Sequence, residues 1–170
     1  EIFPPGVGIS PRGASARGTG LVKWQLNAPR EERELEIEER VKHYWTVRSH
    51  DFGAIRKNEL EGDMGRRWLE ELEQWRPKGK TLDILDVGTG TGFFAILLAG
   101  MGHRVTGIDL PPAMLEEGRA QAAQAGLSID FRQMDAQEPD FPEGSFDVVL
   151  SRNLTWTLPD PEKAYGQWLR

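Results

Sequence analysis

Residues Asp86-Val87-Gly88-Thr89-Gly90-Thr91-Gly92 set three glycines at alternate positions just after an acidic residue. Glycine adopts positive φ and lets the backbone approach a ligand, so such a run between a strand and a helix suits a nucleotide-like group. The helix that follows adds N–H groups at its N-terminus. Asp109 closes the next apolar segment, where a carboxylate can accept from both hydroxyls of a ribose. A phosphate-binding loop needs a lysine directly after its glycines, and none follows here. A dinucleotide site wants G-x-G-x-x-G, its last glycine easing contact between helix and strand. That position is Phe93, with the third glycine one residue earlier at Gly92. Asp109 serves a nicotinamide dinucleotide or any other adenosine cofactor, so it does not separate them.

The elements that must hold this loop are legible from periodicity. Leu82 to Val87 reads as a strand and Phe93 to Met101 as a buried helix closed by Gly100 and Gly102. Val105 to Asp109 is a second strand, and Pro111 and Pro112 open a helix running to about Gly126. Leu127, Ile129 and Phe131 alternate with polar residues as in an edge strand, and Phe146 to Leu150 forms a fourth. Asp160-Pro161 caps a further helix. Strands alternating with helices at this spacing predict an α/β domain with a doubly wound parallel sheet.

Upstream, Glu36 with Arg40 and Glu38 with Lys42 have the spacing of helix ion pairs, with Leu35, Val41 and Trp45 as a thin apolar edge. Leu60, Met64, Trp68, Leu72 and Trp75 recur at helical spacing, and Pro77 and Gly79 stop that helix. Residues 1 to 20 contain eight Gly or Pro residues and little that is apolar. The chain divides accordingly into a flexible Gly/Pro-rich extension over 1–28, a helical cap over 29–78 and an α/β domain over 79–170, incomplete at its C-terminal end. Starting at Glu1 rather than Met suggests a fragment, a processed product or a partial gene.

Zero cysteines exclude a disulfide scaffold, a thiolate metal site and thiol catalysis. The net charge of -6, from 21 basic and 27 acidic residues, speaks against nucleic-acid binding by bulk attraction. No apolar run approaches the roughly 20 residues of a membrane span. A mean hydropathy of -0.52 fits a soluble globular protein with polar extensions, and a cytoplasmic location is expected.

Residues 82 to 158 resemble the class I S-adenosylmethionine-dependent methyltransferases, particularly those that modify small molecules. The family's strand, acid and GxGxG motif is met by Leu85 to Gly92, and its second motif by Val105 to Leu110 followed by Pro111 to Leu115. Its third is met by Met134-Asp135-Ala136 and its fourth by Phe146 to Asn153. The resemblance implies a Rossmann-like sheet of which the first four strands are present. It implies S-adenosylmethionine as cofactor, the methionyl part lying over Gly88, Thr89 and Gly90, with Gly92 completing the loop. Asp109 would grip the ribose, Leu110 and Met114 would sandwich the adenine, and Asp135 would accept from the adenine amino group with the Ala136 N–H nearby. Ser151 would touch the methionyl moiety; Asp86 would steady the loop or reach the ligand's amino group. The segment from Tyr44 to Arg48, followed by Phe52, resembles the one that caps the cofactor in many members. Arg48 would pair with the cofactor carboxylate and Tyr44 would lie beside the sulfonium.

Taken singly, each of these residues has an ordinary structural use: Met114 as core, Asp135 as a turn carboxylate, Asp86 as a loop cap, Tyr44 and Arg48 as helix packing. Their order along the chain points to methyl transfer onto a small-molecule acceptor, with no nucleic-acid or membrane partner. Methyl transfer demands alignment and exclusion of water rather than one particular side chain, so no catalytic residue and no metal ligand is assigned. His43, His50 and His103 are the available imidazole bases; His50 lies nearest the cap, and His103 is expected at the surface. Asn153, Trp156 and the stretch Leu154 to Leu158 lie past the fourth strand, where acceptor contacts are expected. An NAD-dependent oxidoreductase is the alternative, disfavoured by Phe93 and by the Asp135 segment. A truncated fragment that binds the cofactor without activity is another. The sequence assigns no oligomeric state.

Overall fold

The structure, a computed structural model, describes residues 30–75, 77 and 79–170. The predicted extension over 1–28 lies outside the described residues. The chain divides into two compact units, residues 1–36 and 37–170. Of the first, the described part is the start of helix α1 (Arg30–Glu61). The second carries the rest of α1, the sheet and its flanking helices.

Helix α1 is longer than the charge pattern alone suggests, running through His50 and Gly53 to Glu61. Ion pairs Arg56–Glu59 and Lys57–Glu61 support its last turns. Lys42 lies 3.7 Å from Glu39, whereas the side chain of its predicted partner Glu38 lies outside the described residues. Leu35, expected on an apolar edge, is exposed. A tight turn at Gly62 leads into α2 (Asp63–Trp75). Leu60, Trp68, Leu69 and Leu72 pack into the core, but Met64 of the same predicted stripe is exposed. The turn displaces the start of α2 from the line of α1, so one helical period does not run through both. Trp75 carries a side chain outside the described residues.

The sheet comprises β1 (Asp83–Val87), β2 (Arg104–Asp109), β3 (Asp130–Gln133) and β4 (Val148–Ser151). All neighbours pair in parallel, in the order β3-β2-β1-β4. Helices α3 (Phe93–Gly100) and α4 (Pro112–Gln124) make the crossovers, and α5 (Pro161–Trp168) follows β4 through a 3-10 turn at Thr155–Thr157. The predicted α/β, doubly wound Rossmann-like parallel sheet is therefore present.

Alternation along each strand builds two apolar layers. Ile84, Val105, Phe131, Val148 and Leu150 meet α2, α3 and α4 on one face. Leu85, Val87, Ile108 and Val149 meet Ala136, Leu154, Leu158 and Trp168 on the other. Helix α3 is buried almost all round because its eight residues, Phe93 to Gly100, hold no charge.

Strand β3 begins three residues later than the alternation from Leu127 predicts. Gly126 is left-handed, and the Leu127 N–H returns to the Ala122 carbonyl at 2.9 Å, so Leu127 finishes the helix instead of opening the strand. Leu127 and Ile129 still pack against the core, which accounts for the alternation.

The turn between α1 and α2 depends on Gly65, where a Cβ would collide with the Leu60 carbonyl. We expect Gly65→Ala to cost about 2 kcal/mol in chemical denaturation, the order of a steric insertion. Gly100→Ala, at a helical position with open space around it, should remain within about 1 kcal/mol of the parent.

Candidate functional site

Strand β1 sits at the centre of the sheet, so its carboxyl end opens between β2 and β4. The chain turns there through Gly88, Gly90 and Gly92, all at positive φ. The turn is held from inside. Gly88 and Thr89 donate their N–H groups to the Ile108 carbonyl at 2.9 and 3.0 Å, and the Gly90 N–H donates to Asp109 Oδ2 at 2.7 Å. Thr89 turns its hydroxyl inward to donate to Asp86 Oδ2 at 2.7 Å, where Gly107, lacking a side chain, makes room for it. Asp86 also accepts from the Ala95 backbone, so it ties β1 both to the loop and to the first turn of α3. Both contacts face the protein, which is the loop-steadying one of its two expected uses.

The three glycines differ in what they face. A Cβ on Gly88 would strike the Leu154 side chain at 2.9 Å, and one on Gly92 would strike the Phe131 ring at 2.9 Å. Gly92 thus serves contact between helix and strand, with the Phe131 ring also against Gly118. At Gly90 the nearest atoms to a Cβ would be Met114 Cε at 3.5 Å and Phe52 Cε1 at 3.9 Å. The open part of the loop is therefore at Gly90, walled by Met114 and Phe52.

Asp109 ends β2 half-buried, each oxygen accepting one backbone N–H: Gly90 to Oδ2 and Leu110 to Oδ1 at 2.8 Å. Each oxygen keeps a second lone pair for a further donor. Burial pushes its pKa up to about 6, against the two N–H groups that favour the anion. Burial likewise pushes Asp86 up to about 7; the Thr89 hydroxyl pulls it down and the nearby Asp109 charge adds to the rise. Two like-charged groups share the base of one loop.

Leu110 is half-buried beside Asp109, and its carbonyl accepts from Gln133 Nε2 at 3.1 Å. Met114 is buried in the first turn of α4. Asp135 uses Oδ1 to accept the Gln137 N–H at 2.9 Å, an Asx turn that sets the loop after β3. Ala136 is buried, its carbonyl accepting from Trp168 Nε1 at 2.7 Å. Ser151 lies beside Val87 at the end of β4, and its buried Oγ has no hydrogen-bond partner among the described residues. Asp86, Asp109, Leu110, Met114 and Ser151 thus gather around the carboxyl ends of three adjacent strands.

Tyr44 and Arg48 are exposed on α1 and face each other, Arg48 Nη1 donating to Tyr44 Oη at 3.1 Å. No hydrogen bond or ring contact joins either to the loop among the described residues. The α1 side chain at the loop is Phe52, one helical turn beyond Arg48. It touches Trp45 edge-on with centroids 5.1 Å apart and carries the Arg56 guanidinium on its ring at 4.6 Å. Three polar ties hold this stretch of α1 on α4: Gln121 Nε2 donates to the Gly53 carbonyl at 3.1 Å, Lys57 to Gln124 at 2.9 Å, and His50 Nδ1 lies 3.2 Å from Glu117.

The expectation that His103 lies at the surface is wrong. His103 is buried, and its Nδ1 accepts the Leu82 N–H at 3.2 Å, fixing the entry to β1. Its two neighbours, Gly102 and Arg104, are exposed, and that gave the misleading surface character. His43 and His50 are exposed on α1. Past β4, Asn153 adopts φ 58° and is exposed, as is Trp156. Leu154 and Leu158 turn into the core instead. Phe52, expected with the cap segment, and Leu154, expected among the acceptor contacts, both shape the loop itself; Gly107 does so without having been singled out, because a glycine inside a strand carries little signal of such a contact.

A family model described as a methyltransferase domain matches residues 84–170, half of the chain. The ubiquinone biosynthesis O-methyltransferase of Pseudomonas paraeruginosa is 33% identical over 131 residues, covering 72% of this chain and 50% of that protein. The phosphatidylethanolamine N-methyltransferase of Cereibacter sphaeroides is 40% identical over 91 residues, covering 51% of this chain and 43% of its own. The chain spans about half the length of the curated relatives it matches. The crystal structure of a putative S-adenosylmethionine-dependent methyltransferase from Methanococcus maripaludis superposes with a TM-score of 0.66 at 21% identity, over 74% of this chain and 57% of that one, a likeness of fold. Among the described residues no helix is long and apolar enough to cross a membrane. With the strand–loop–helix geometry and the matched domain in agreement, the chain belongs to the class I S-adenosylmethionine-dependent methyltransferases.

Proposed function

We propose that the protein transfers a methyl group from S-adenosylmethionine to a small-molecule acceptor, with Asp109 as the principal cofactor contact. The observation that carries this is the Asp109 carboxylate itself. It is pinned by two backbone N–H groups at the end of β2, keeps a lone pair on each oxygen, and stands next to the open position at Gly90. A pair of vicinal hydroxyls matches that acceptor geometry. The unpartnered Ser151 hydroxyl offers a polar contact to the methionyl part, and Met114 and Leu110 offer apolar walls to an adenine. Asp135 Oδ2, which accepts from no donor among the described residues, suits the adenine amino group. Tyr44 and Arg48 enter this reading as outer cap residues.

The bound cofactor supplies an electrophilic methyl carbon. The chain's own residues position it, exclude water and hold the acceptor. The relatives named above act, by their names, on an oxygen and on a nitrogen of small or lipid molecules, which supports a small-molecule acceptor and leaves the acceptor atom open. Asn153 and Trp156, exposed beyond β4, are the proposed acceptor contacts.

Calorimetric titration with S-adenosylhomocysteine tests the reading directly, with NADH as control. Saturable binding is expected, weakened at least about a hundredfold by Asp109→Ala, the scale of losing two hydrogen bonds to a charged acceptor. Binding of NADH and not of S-adenosylhomocysteine would overturn it. Because the ribose needs the anionic carboxylate, affinity should hold above pH 6 and fall roughly tenfold per pH unit below it.

The unliganded chain has its own pH signature. A buried carboxyl whose pKa rises on folding contributes stability that is complete below its unfolded value, 3.8 for Asp86, and is lost as pH rises through about 7. Asp86→Asn, a neutral stand-in for the protonated acid, should therefore melt close to the parent at pH 4 and rise progressively above it, by about 10 °C at pH 8. Equal melting at both values would place the Asp86 carboxylate in a solvated setting.

A further inference from the structure

We propose that Arg152 is the acceptor-anchoring residue of this site and that the methyl acceptor carries a carboxylate, held by Arg152 with Arg56 behind it. This rests on the methyltransferase reading and adds a substrate class to it.

Strand alternation sends Arg152 to the same face as Val148 and Leu150, under α2 and beside the start of α3. Its guanidinium carbon lies 5.4 Å from the ring centroid of Trp68, 5.6 Å from that of Phe93 and 5.5 Å from that of Phe94. The rings favour the charge but offer no lone pairs to its N–H groups. Among the described residues no carboxylate, carbonyl or hydroxyl accepts a hydrogen bond from it. Glu59 is close enough to act on its charge, but Glu59 is paired with Arg56. Two guanidinium groups therefore face one carboxylate, leaving a single positive charge uncompensated. Burial and the repulsion of Arg56 both push the proton affinity of Arg152 down, a strain that an incoming anion relieves.

The position is a substrate position. Arg152 directly follows Ser151, whose Cα pairs with Val87 at the mouth of the loop. Asn153 then takes a left-handed turn that brings Leu154 onto Gly88. Arg56 rests on Phe52, the wall of the open position at Gly90. The unspent fork thus stands on the acceptor side of the loop, between the end of β4 and the helical cap. A planar carboxylate accepts two parallel bonds from such a fork, and its single charge matches the single one left over.

The test uses protein saturated with S-adenosylhomocysteine, titrated with benzoate and with its neutral analogue benzamide, followed by NMR of the arginine Nε–H signals. Benzoate should bind saturably and at least tenfold more tightly than benzamide. Arg152→Met should weaken benzoate at least tenfold, and Arg152→Lys, which keeps the charge but loses the fork, should weaken it severalfold. Both variants should bind S-adenosylhomocysteine within about twofold of the parent, which also shows that they are folded. Equal binding of benzoate and benzamide, or unchanged benzoate binding in Arg152→Met, overturns the proposal. So does a loss of S-adenosylhomocysteine affinity above tenfold in Arg152→Lys, because the arginine would then belong to the cofactor's own carboxylate. Failure of the parent protein to bind S-adenosylhomocysteine would instead remove the methyltransferase reading beneath it.

Discussion

The hydrogen bond from the Gly90 N–H to Asp109 joins the two halves of the site. It spans β1 and β2 at their carboxyl ends and decides where the loop runs, because Gly88 and Thr89 are already tied to Ile108 in the same strand. With Gly88, Thr89 and Gly90 all donating internally, the loop is not a cradle of free donors. It is a tied shelf that presents carboxylate oxygens and an open glycine, the groups to which recognition is assigned in the proposed function. The arrangement costs something: two carboxyls lie in low dielectric with their affinity for protons raised. Ordering that cluster before a ligand arrives removes part of the entropy that binding would otherwise have to meet.

The sheet was legible in the sequence because its signals are local. The two central strands ran apolar up to Gly88 and to Asp109, and the order of strands and helices left few topologies to consider. The loop was legible for the same reason. What sequence spacing did not convey were contacts made across the fold. Phe52 reaches Gly90 only because three polar ties lay α1 on α4, and nothing near residue 52 advertises partners at 117, 121 and 124. His103 looked like a surface residue between a helix and a strand, yet a backbone N–H from Leu82 claims it. Leu127 and Ile129 alternate as a strand would, yet Leu127 closes a helix and both simply pack against the core.

Gly92 shows how a binding motif and a packing requirement overlap in one residue. In a dinucleotide fold the third glycine lets helix and strand approach. Here the displaced glycine does comparable work, since the Phe131 ring fills the space that a side chain at 92 would take and rests against Gly118 as well. The motif GxGxG therefore mixes one position open to a ligand with two whose side chains the fold forbids. Arg152 is the converse case: an arginine in a strand-end motif reads as ordinary surface until its three rings and absent acceptor are seen together.

The seam between α1 and α4 is of a different kind from the rest of the molecule. The sheet and α3 are sealed by apolar layers, whereas residues 50 to 57 are fastened to α4 by an amide, an ammonium and an imidazole. Bonds of this kind exchange with water at a net cost of about 1 kcal/mol each, far less than exposing a buried leucine. The wall over Gly90 is thus latched rather than welded. Salt and solvent act on the latch, while the apolar layers of the sheet beneath it stay shut to both.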